Sequence, residues 1–403
     1  MSIVFLSPTG QVGGGEAALV DLLAGLRAAH PTWPLRLVVA SEGPLAARAE
    51  ALGVPVETLA FPSSVARLGD WSLGSGAVAR LRFLWRCALA NGPALAYLFR
   101  LRRRLRALSP AIVHTNGLKM HLLGAWASPR TSAVVWHFHD YVGRRAAASR
   151  LLRWSAGRCA AIVANSRSVA EDARDALAGG PPVHAVWNAV DLQRFSPSGP
   201  GLDLDARAGL PPAGDVLRVG LVATFAAWKG HGVFLEALAR LAPGLPVRGY
   251  VVGGPIYDTT ASQTTLGALQ ARAEALGIAD RVGFTGLVDD TSCAMRALDV
   301  VVHASTEPEP FGLVIAEAMA CGRPVIVSRA GGARELAETG IDVPTVPPGD
   351  AGALAREIAS LATDPSRRER LGREGRQTAE RCFAISRMAD ELTALYGALP
   401  VVH

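Results

Sequence analysis

The feature that most limits the fold is a three-part pattern used again and again along the chain. A short apolar run is followed by a turn carrying Gly, Asn or His, and then by a helix-periodic stretch. Residues 2–7, 35–40, 111–114, 133–140, 160–165 and 183–188 form a first series of such runs. Residues 217–223, 247–252, 282–286, 300–304 and 324–328 form a second. Runs this short and this apolar read as buried strands of a parallel sheet, with the intervening helices covering its faces. The alternation predicts an α/β chain with two Rossmann-like domains. A length of 403 residues, 50% hydrophobic and 19% charged, also exceeds what one core usually supports. We expect a first domain over 1–190, a linker over 191–215 where Pro, Gly and Ser accumulate, and a second domain over 216–384.

The richest local signal lies in the second series, where Glu309-Pro-Phe-Gly-Leu-Val-Ile-Ala-Glu317 holds two carboxylates eight positions apart. Pro310 suits a helix start, Gly312 permits close approach, and Leu313, Ala316, Met319 and Ala320 recur at helical spacing, so a helix is predicted to begin near Gly312. Its first amides lack intrahelical partners and, with the helix dipole, favour a phosphate. Eight positions at about 100° each would turn Glu309 and Glu317 to one side if both were helical. Carboxylates accept hydrogen bonds from hydroxyls, so the pattern suits a diphosphate flanked by two polyols, that is, a sugar nucleotide.

Lysine usage points to the same chemistry. The chain has only two lysines, Lys119 and Lys229, among 41 basic residues. Lys229 stands directly before Gly230 in a strand-to-helix loop, a place for a compact point charge on a phosphate or for an ordinary surface lysine. In the first series, Thr9-Gly-Gln-Val-Gly-Gly-Gly15 joins strand to helix and lets backbone amides meet a ligand, or simply turns the chain. Its spacing is not G-x-G-x-x-G, which disfavours a nicotinamide enzyme despite Glu42 after the second strand. His137 and His139 share one face of a strand, but no Cys or carboxylate completes a metal set, and a ligand contact for His139 fits better. Asp203-Leu-Asp205 reads as helix capping rather than a metal-binding D-x-D, as do Asp289 and Asp290. The five cysteines lack C-x-x-C spacing and read as reduced thiols, which places the protein in the cytoplasm. The opening Met1–Pro8 reads as a strand rather than a signal peptide, and no apolar stretch reaches the length of a spanning helix.

Charge is unevenly spread. From Trp71 to Ala170 there are sixteen basic residues and one acid, Asp140, which leaves 25 basic and 34 acidic residues elsewhere. The segment Ala77–Leu108 reads as two helices split by Asn91-Gly92-Pro93; Leu98, Leu101, Leu105 and Leu108 make an apolar stripe on the second, and Arg100, Arg102, Arg103, Arg104 and Arg106 fill its other faces. A solvated basic face and contact with anionic lipid headgroups or a phosphorylated acceptor both fit. Nucleic acid does not, because no groove-reading or base-stacking module surrounds the run.

Glu309 and Glu317, Lys229-Gly230, Gly253-Gly254, Arg281-Val-Gly-Phe-Thr-Gly286, Gly331-Gly332 with Glu335, and Asn188-Ala-Val-Asp191 together resemble the GT-B glycosyltransferases, specifically the large retaining family four. The likeness is strongest over 219–350. It implies two Rossmann-like domains facing a central cleft, the last helix (385–403) returning to the first domain. It implies an acceptor held by the first domain and a nucleoside-diphosphate sugar of UDP or GDP type held by the second. By position, Lys229 would bind the diphosphate, Glu317 the ribose, and Glu309 the donor sugar. Backbone at Phe311, Gly312 and Leu313 would cap phosphate or sugar, with Gly253 also lining the donor; Gly14 and Gly15 would approach it from the other domain, and His139 would touch the transferred sugar. Thr224 stands where many relatives carry an arginine, with Arg334 a candidate replacement. The resemblance further implies no metal or other cofactor. Transfer would go to a sugar, glycolipid or polyprenyl-linked acceptor in envelope or polysaccharide synthesis, with the protein peripheral at the inner membrane face. A sugar-nucleotide epimerase and a non-catalytic sugar-nucleotide-binding scaffold are the alternatives.

Overall fold

A computed structural model describes residues 1–66, 77–255, 264–339 and 342–400, with backbone alone over 77–91. Cys87 and the basic side chains preceding Asn91 therefore lie outside the described residues. The chain divides into two compact units, Met1–Trp187 with Met388–His403, and Asn188–Arg387.

The first unit is built on a seven-stranded sheet with strands β1 (Ile3–Ser7), β2 (Leu35–Val39), β3 (Val56–Thr58), β4 (Ile112–Asn116), β5 (Ala133–Phe138), β6 (Ala161–Ala164) and β7 (Val183–Ala185). Their order is β3-β2-β1-β4-β5-β6-β7, every pairing parallel. Strands β1, β4, β5 and β6 are buried at every residue, which explains why they read as unbroken apolar runs rather than alternating ones. The order reverses between β1 and β4, and the crevice beyond the carboxyl ends of those strands is where an open α/β sheet takes a ligand. The short edge strand β3 carried no readable signal in the sequence.

Two local expectations are corrected. Ala77–Leu108 is one helix that runs through Pro93. A proline removes one ladder bond, and the packing of Tyr97, Leu101 and Leu105 into the core with Val4, Leu6 and Val113 outweighs that loss. The helix after β1 begins at Gly14, so Gly14 and Gly15 lie in its first turn rather than in the loop. Glu16 sets that start by accepting the Gly13 amide at 3.1 Å.

The second unit repeats the plan with β8 (Leu217–Val222), β9 (Val247–Val252), β10 (Val282–Gly286), β11 (Val300–His303), β12 (Val325–Ser328) and β13 (Thr345–Val346), in the order β10-β9-β8-β11-β12-β13. The reversal falls between β8 and β11, which pair in parallel from Val219 with Val300 onward. Residues 191–215 fold as part of this unit. Asp203 caps the helix Leu204–Ala208 through the Ala206 amide, and Asp205 is buried, bonded to Arg248 at 2.6 Å and to Tyr250 at 2.5 Å. Those partners hold its carboxyl down to about 2 against the opposing effect of burial, so this D-x-D is a fastening and not a metal site.

The last helix, Ile385–Ala398, belongs to the first unit from Met388 onward. Thr393 Oγ1 meets His30 Nε2 at 2.9 Å, and Tyr396 Oη meets the buried His114 Nδ1 at 2.8 Å.

Candidate active site

In the second unit, the loops that leave β8 and β11 flank the reversal point, and each ends in a helix. After β8 the chain makes a tight turn over Ala227–Lys229 and enters the helix His231–Ala239 through Gly230. Gly230 has φ +77°, and a β-carbon there would sit 1.9 Å from the Ala304 carbonyl oxygen, so only glycine lets the two loops touch. After β11 the chain passes Ser305 and Glu309 and enters the helix Leu313–Ala320 behind Gly312. The Thr306 amide donates to the Trp228 carbonyl at 2.7 Å and ties one loop to the other.

This closeness brings Lys229 and Glu309 together. The ammonium donates to Oε1 at 2.9 Å and to Oε2 at 2.7 Å, and it also lies 4.1 Å from the centroid of the Trp228 ring. Ser305 Oγ donates to Glu309 Oε2 at 2.9 Å, and His303 Nε2 lies 3.3 Å from the same oxygen and 3.0 Å from Ser305 Oγ. A carboxylate only accepts, so the proton of His303 sits on Nε2. Burial opposes the charge on Glu309, which is 7% exposed, yet the Lys229 charge and the His303 hydrogen bond hold its carboxyl down to about 2. Its backbone is fixed as well, since its carbonyl accepts the Gly332 amide at 2.7 Å in a bridge beside Gly331.

Glu309 is thus in extended backbone outside the helix, and the helical-phase argument for a shared side with Glu317 does not apply. Glu317 lies in the second turn, half-buried, and burial pushes its carboxyl up to about 7 against the pull of Arg194. Phe311 is buried, and Gly312 and Leu313 form the helix entrance. Gly253, with φ +138°, lets the loop after β9 pass the Ala223 carbonyl, where a β-carbon would lie 2.0 Å away. Thr224 sits in that same β8 loop, its carbonyl accepting the Ala226 amide. Arg334 bonds Glu338 at 2.6 Å on an exposed surface.

In the first unit, the carboxyl ends of β4, β5 and β6 bring Asn116, His137, His139 and Asn165 together. His139 Nε2 lies 3.4 Å from Asn116 Oδ1, its ring lies 4.1 Å from that of His137, and Asn165 Nδ2 donates to its carbonyl at 3.4 Å. A β-carbon on Gly15 would lie 3.4 Å from the His139 ring, so Gly15 and His139 are neighbours in this unit. Behind them His137 Nδ1 meets His114 Nε2 at 3.1 Å. Asn116 Nδ2, His137 Nε2, His139 Nδ1 and Asn165 Oδ1 are buried with no hydrogen-bond partner among the described residues. Burial lowers the pKa of His139 to about 4 and that of His114 to about 3, so both rings are neutral near pH 7. No group of His, Cys, Asp or Glu placed to hold a metal ion is found among the described residues.

His303, Ser305, Trp228 and Asn116 were not singled out in the sequence. His303 carried one usable signal: it is the polar residue closing an otherwise apolar strand at its carboxyl end.

Both units resemble known proteins. A family profile described as "Glycosyl transferases group 1" matches residues 205–378, and one described as "Glycosyltransferase Family 4" matches residues 12–194. The chain is 35% identical over 257 residues to a D-inositol 3-phosphate glycosyltransferase of Salinispora tropica, covering 60% of this chain and 52% of that protein. It is 33% identical over 218 residues to the lipopolysaccharide core biosynthesis mannosyltransferase LpcC of Rhizobium leguminosarum bv. viciae, covering 54% of this chain and 60% of the relative. It thus spans a little over half the length of these curated relatives. Among solved structures, Anabaena Alr3699/HepE in complex with UDP superposes with a TM-score of 0.78 at 24% identity, over 99% of this chain and 100% of that one. WaaG, a glycosyltransferase involved in lipopolysaccharide biosynthesis, superposes with a TM-score of 0.68 at 15% identity, over 99% and 100%. With the two profiles matching one unit each and the same fold recurring in these structures, the chain belongs to the group 1 glycosyl transferases of GT-B fold.

Proposed function

We propose that the protein transfers a sugar from a nucleoside-diphosphate sugar to a hydroxyl acceptor, with retention of anomeric configuration and without a metal ion. The observation that carries this reading is the Lys229–Glu309 pair, set between the amino ends of two helices at the reversal point of the second sheet. An ammonium has three donors, and two of Lys229's go to Glu309, which leaves one for a ligand oxygen. Helix amides at Leu313 and His231 supply further donors.

Bond cleavage to a diphosphate builds negative charge on the leaving group and oxocarbenium character on the sugar, so fixed donors on the diphosphate lower the barrier. Lys229 fills that role. Glu309, held ionised, accepts from donor-sugar hydroxyls, and Glu317 accepts from the ribose. In the first unit, Asn116, His139 and Asn165 offer neutral donors and acceptors to a sugar hydroxyl. The acceptor is a sugar, glycolipid or polyprenyl-linked precursor of envelope or polysaccharide synthesis. We place the work at the inner face of the plasma membrane on the strength of the acid-free basic segment.

Calorimetry with UDP, GDP and ADP and their sugars tests the donor site. One nucleoside diphosphate should bind clearly better than the others, and heat from none of them would end the proposal. Donor turnover is then followed with and without acceptors in the presence of a chelator, and the product's anomeric proton is read by NMR. An inverted product or chelator-abolished turnover would remove retention or metal independence respectively. A donor converted to its epimer without an acceptor would identify an epimerase instead.

A further inference from the structure

We propose that one face of the first unit, made by the outer sides of residues 92–108 of the helix Ala77–Leu108 and of the helices Leu118–Ala127 and Ala146–Ser155, is a docking surface for an anionic lipid bilayer. It deepens the membrane seat of the reading above, and its test uses neither donor nor acceptor, so the two fail separately.

The helix Leu118–Ala127 packs against both of the others. On Ala77–Leu108, Tyr97, Leu101 and Leu105 are fully buried while Leu95 is 54% and Phe99 67% exposed. The positions 95, 99, 103 and 106 follow helical spacing, so Leu95, Phe99, Arg103 and Arg106 form one outward stripe. On Ala146–Ser155, Ser149, Leu152 and Ser155 turn inward, and Ala147, Arg150, Leu151 and Trp154 make the outward stripe. Leu151 is 51% and Trp154 71% exposed. Of the seven large apolar side chains exposed among the described residues, four therefore stand on these two helices, and partly exposed Leu122, Leu123 and Trp126 lie on the helix between them.

A tryptophan this exposed would be free to move, but the Trp154 ring stacks on Trp126 at 4.6 Å, and Trp126 is itself pinned by its Nε1 bond to Ser155 at 3.0 Å. An apolar ring held rigidly in water suits a bilayer interface, where aromatic side chains settle at headgroup depth. The charge around it selects the lipid. Arg103, Arg106 and Arg150 make no ion pair among the described residues, and the one acid between Trp71 and Ala170, Asp140, is already taken by Arg145 at 2.8 Å. Apolar anchors with unneutralised arginines on the same stripes fit anionic headgroups above acyl chains. A protein partner of ordinary composition would bring acids to meet the arginines but would leave unexplained a stretch of sequence, 71–170, that holds sixteen basic residues and one acid.

The test is flotation of the full chain with phosphatidylcholine vesicles and with vesicles containing phosphatidylglycerol. Binding is expected to the anionic vesicles alone and to weaken with salt. Arg103→Glu with Arg106→Glu should lower partitioning by about tenfold or more. Leu151→Ser with Trp154→Ser should lower it comparably, while both variants keep the wild-type melting temperature. Brominated lipid should quench wild-type fluorescence more than that of Trp154→Phe. Negligible or equal binding to both vesicles would overturn the proposal, as would undiminished binding by both double variants. A concentration-dependent dimer abolished by the Leu151/Trp154 variant, without vesicle binding, would assign the face to a second copy of the chain and equally overturn it.

Discussion

The Lys229 ammonium holds both oxygens of the Glu309 carboxylate, at 2.9 and 2.7 Å, although the two residues lie eighty positions apart and neither sits in a strand or long helix. Each is placed by the loop that leaves one of two adjacent parallel strands, so the pair records the reversal in strand order itself. On the function proposed above, a diphosphate would meet here a positive group whose position is already fixed, with little reorganisation on binding.

Lys229→Ala should reduce transfer by about 10²–10³-fold, the scale for losing one charge-stabilising donor. It also strands a buried carboxylate, so the melting temperature should fall, with a stability cost of about 3–5 kcal/mol at neutral pH. Lys229→Ala with Glu309→Gln removes both charges and should recover much of that stability without recovering activity. Thermal melts beside donor turnover separate the two effects, and a stable, inactive double variant is the expected result.

Glu309 and Glu317 should pull stability in opposite directions as pH changes. The pKa of Glu309 is depressed to about 2, so its contribution is complete above the ordinary carboxylate value and is lost as pH falls towards 2. Glu317 is raised to about 7, so the folded state holds a proton that the unfolded state releases, and stability falls as pH rises from about 4.5 to 7. Glu317→Gln should therefore stabilise the ligand-free protein at pH 8, by on the order of 1–2 kcal/mol once solvent screening is allowed for. It should also weaken nucleotide binding. Melting temperature against pH checks the sign, and a Glu317→Gln protein less stable than wild type at pH 8 would contradict it.

The buried histidines make the first unit sensitive to acid. His114 at about 3, His139 at about 4, and His121 and His137 well below their ordinary value are all depressed mainly by burial. Their stabilising effect is complete above about pH 6.5 and is lost as pH falls through the folded values. Circular dichroism or hydrogen exchange should show β4 and β5 loosening between pH 6 and pH 4. Replacing His121, whose Nδ1 lies 2.7 Å from Thr115 Oγ1, by Asn should flatten that loss.

Gly230→Ala should damage fold and site together. Its φ of +77° and the 1.9 Å approach to Ala304 leave no room for a methyl group. A loss of at least about 1 kcal/mol is expected from the backbone conformation alone. The clash adds to it, and nucleotide affinity should fall through displacement of Lys229. Unchanged melting temperature and affinity would show that the β8 and β11 loops are held apart in solution.

Much of the fold is legible in the sequence. The strands were readable because parallel strands buried on both faces leave apolar runs, and Lys229 because lysine is so scarce in this chain. Glu309 and Glu317 were readable as residues but not as geometry. Whether Glu309 was helical depended on its bridge to Gly331, a contact between loops that no local spacing encodes. The same limit explains Pro93, where local propensity argued for a break and long-range packing held the helix. Ser305 is an unremarkable residue in the sequence until Glu309 is folded back onto it.

The hydrogen bond between Tyr396 and His114 has a consequence for biosynthesis. The first unit takes its last helix from residues made after the whole of Asn188–Arg387. On the ribosome, the unit whose synthesis starts first is therefore the last to be completed, and until residues 388–400 emerge, His114 has no tyrosine to meet it. The second unit is contiguous and can close on itself earlier. A translating chain should accordingly carry a finished second unit while the first still waits for its last helix.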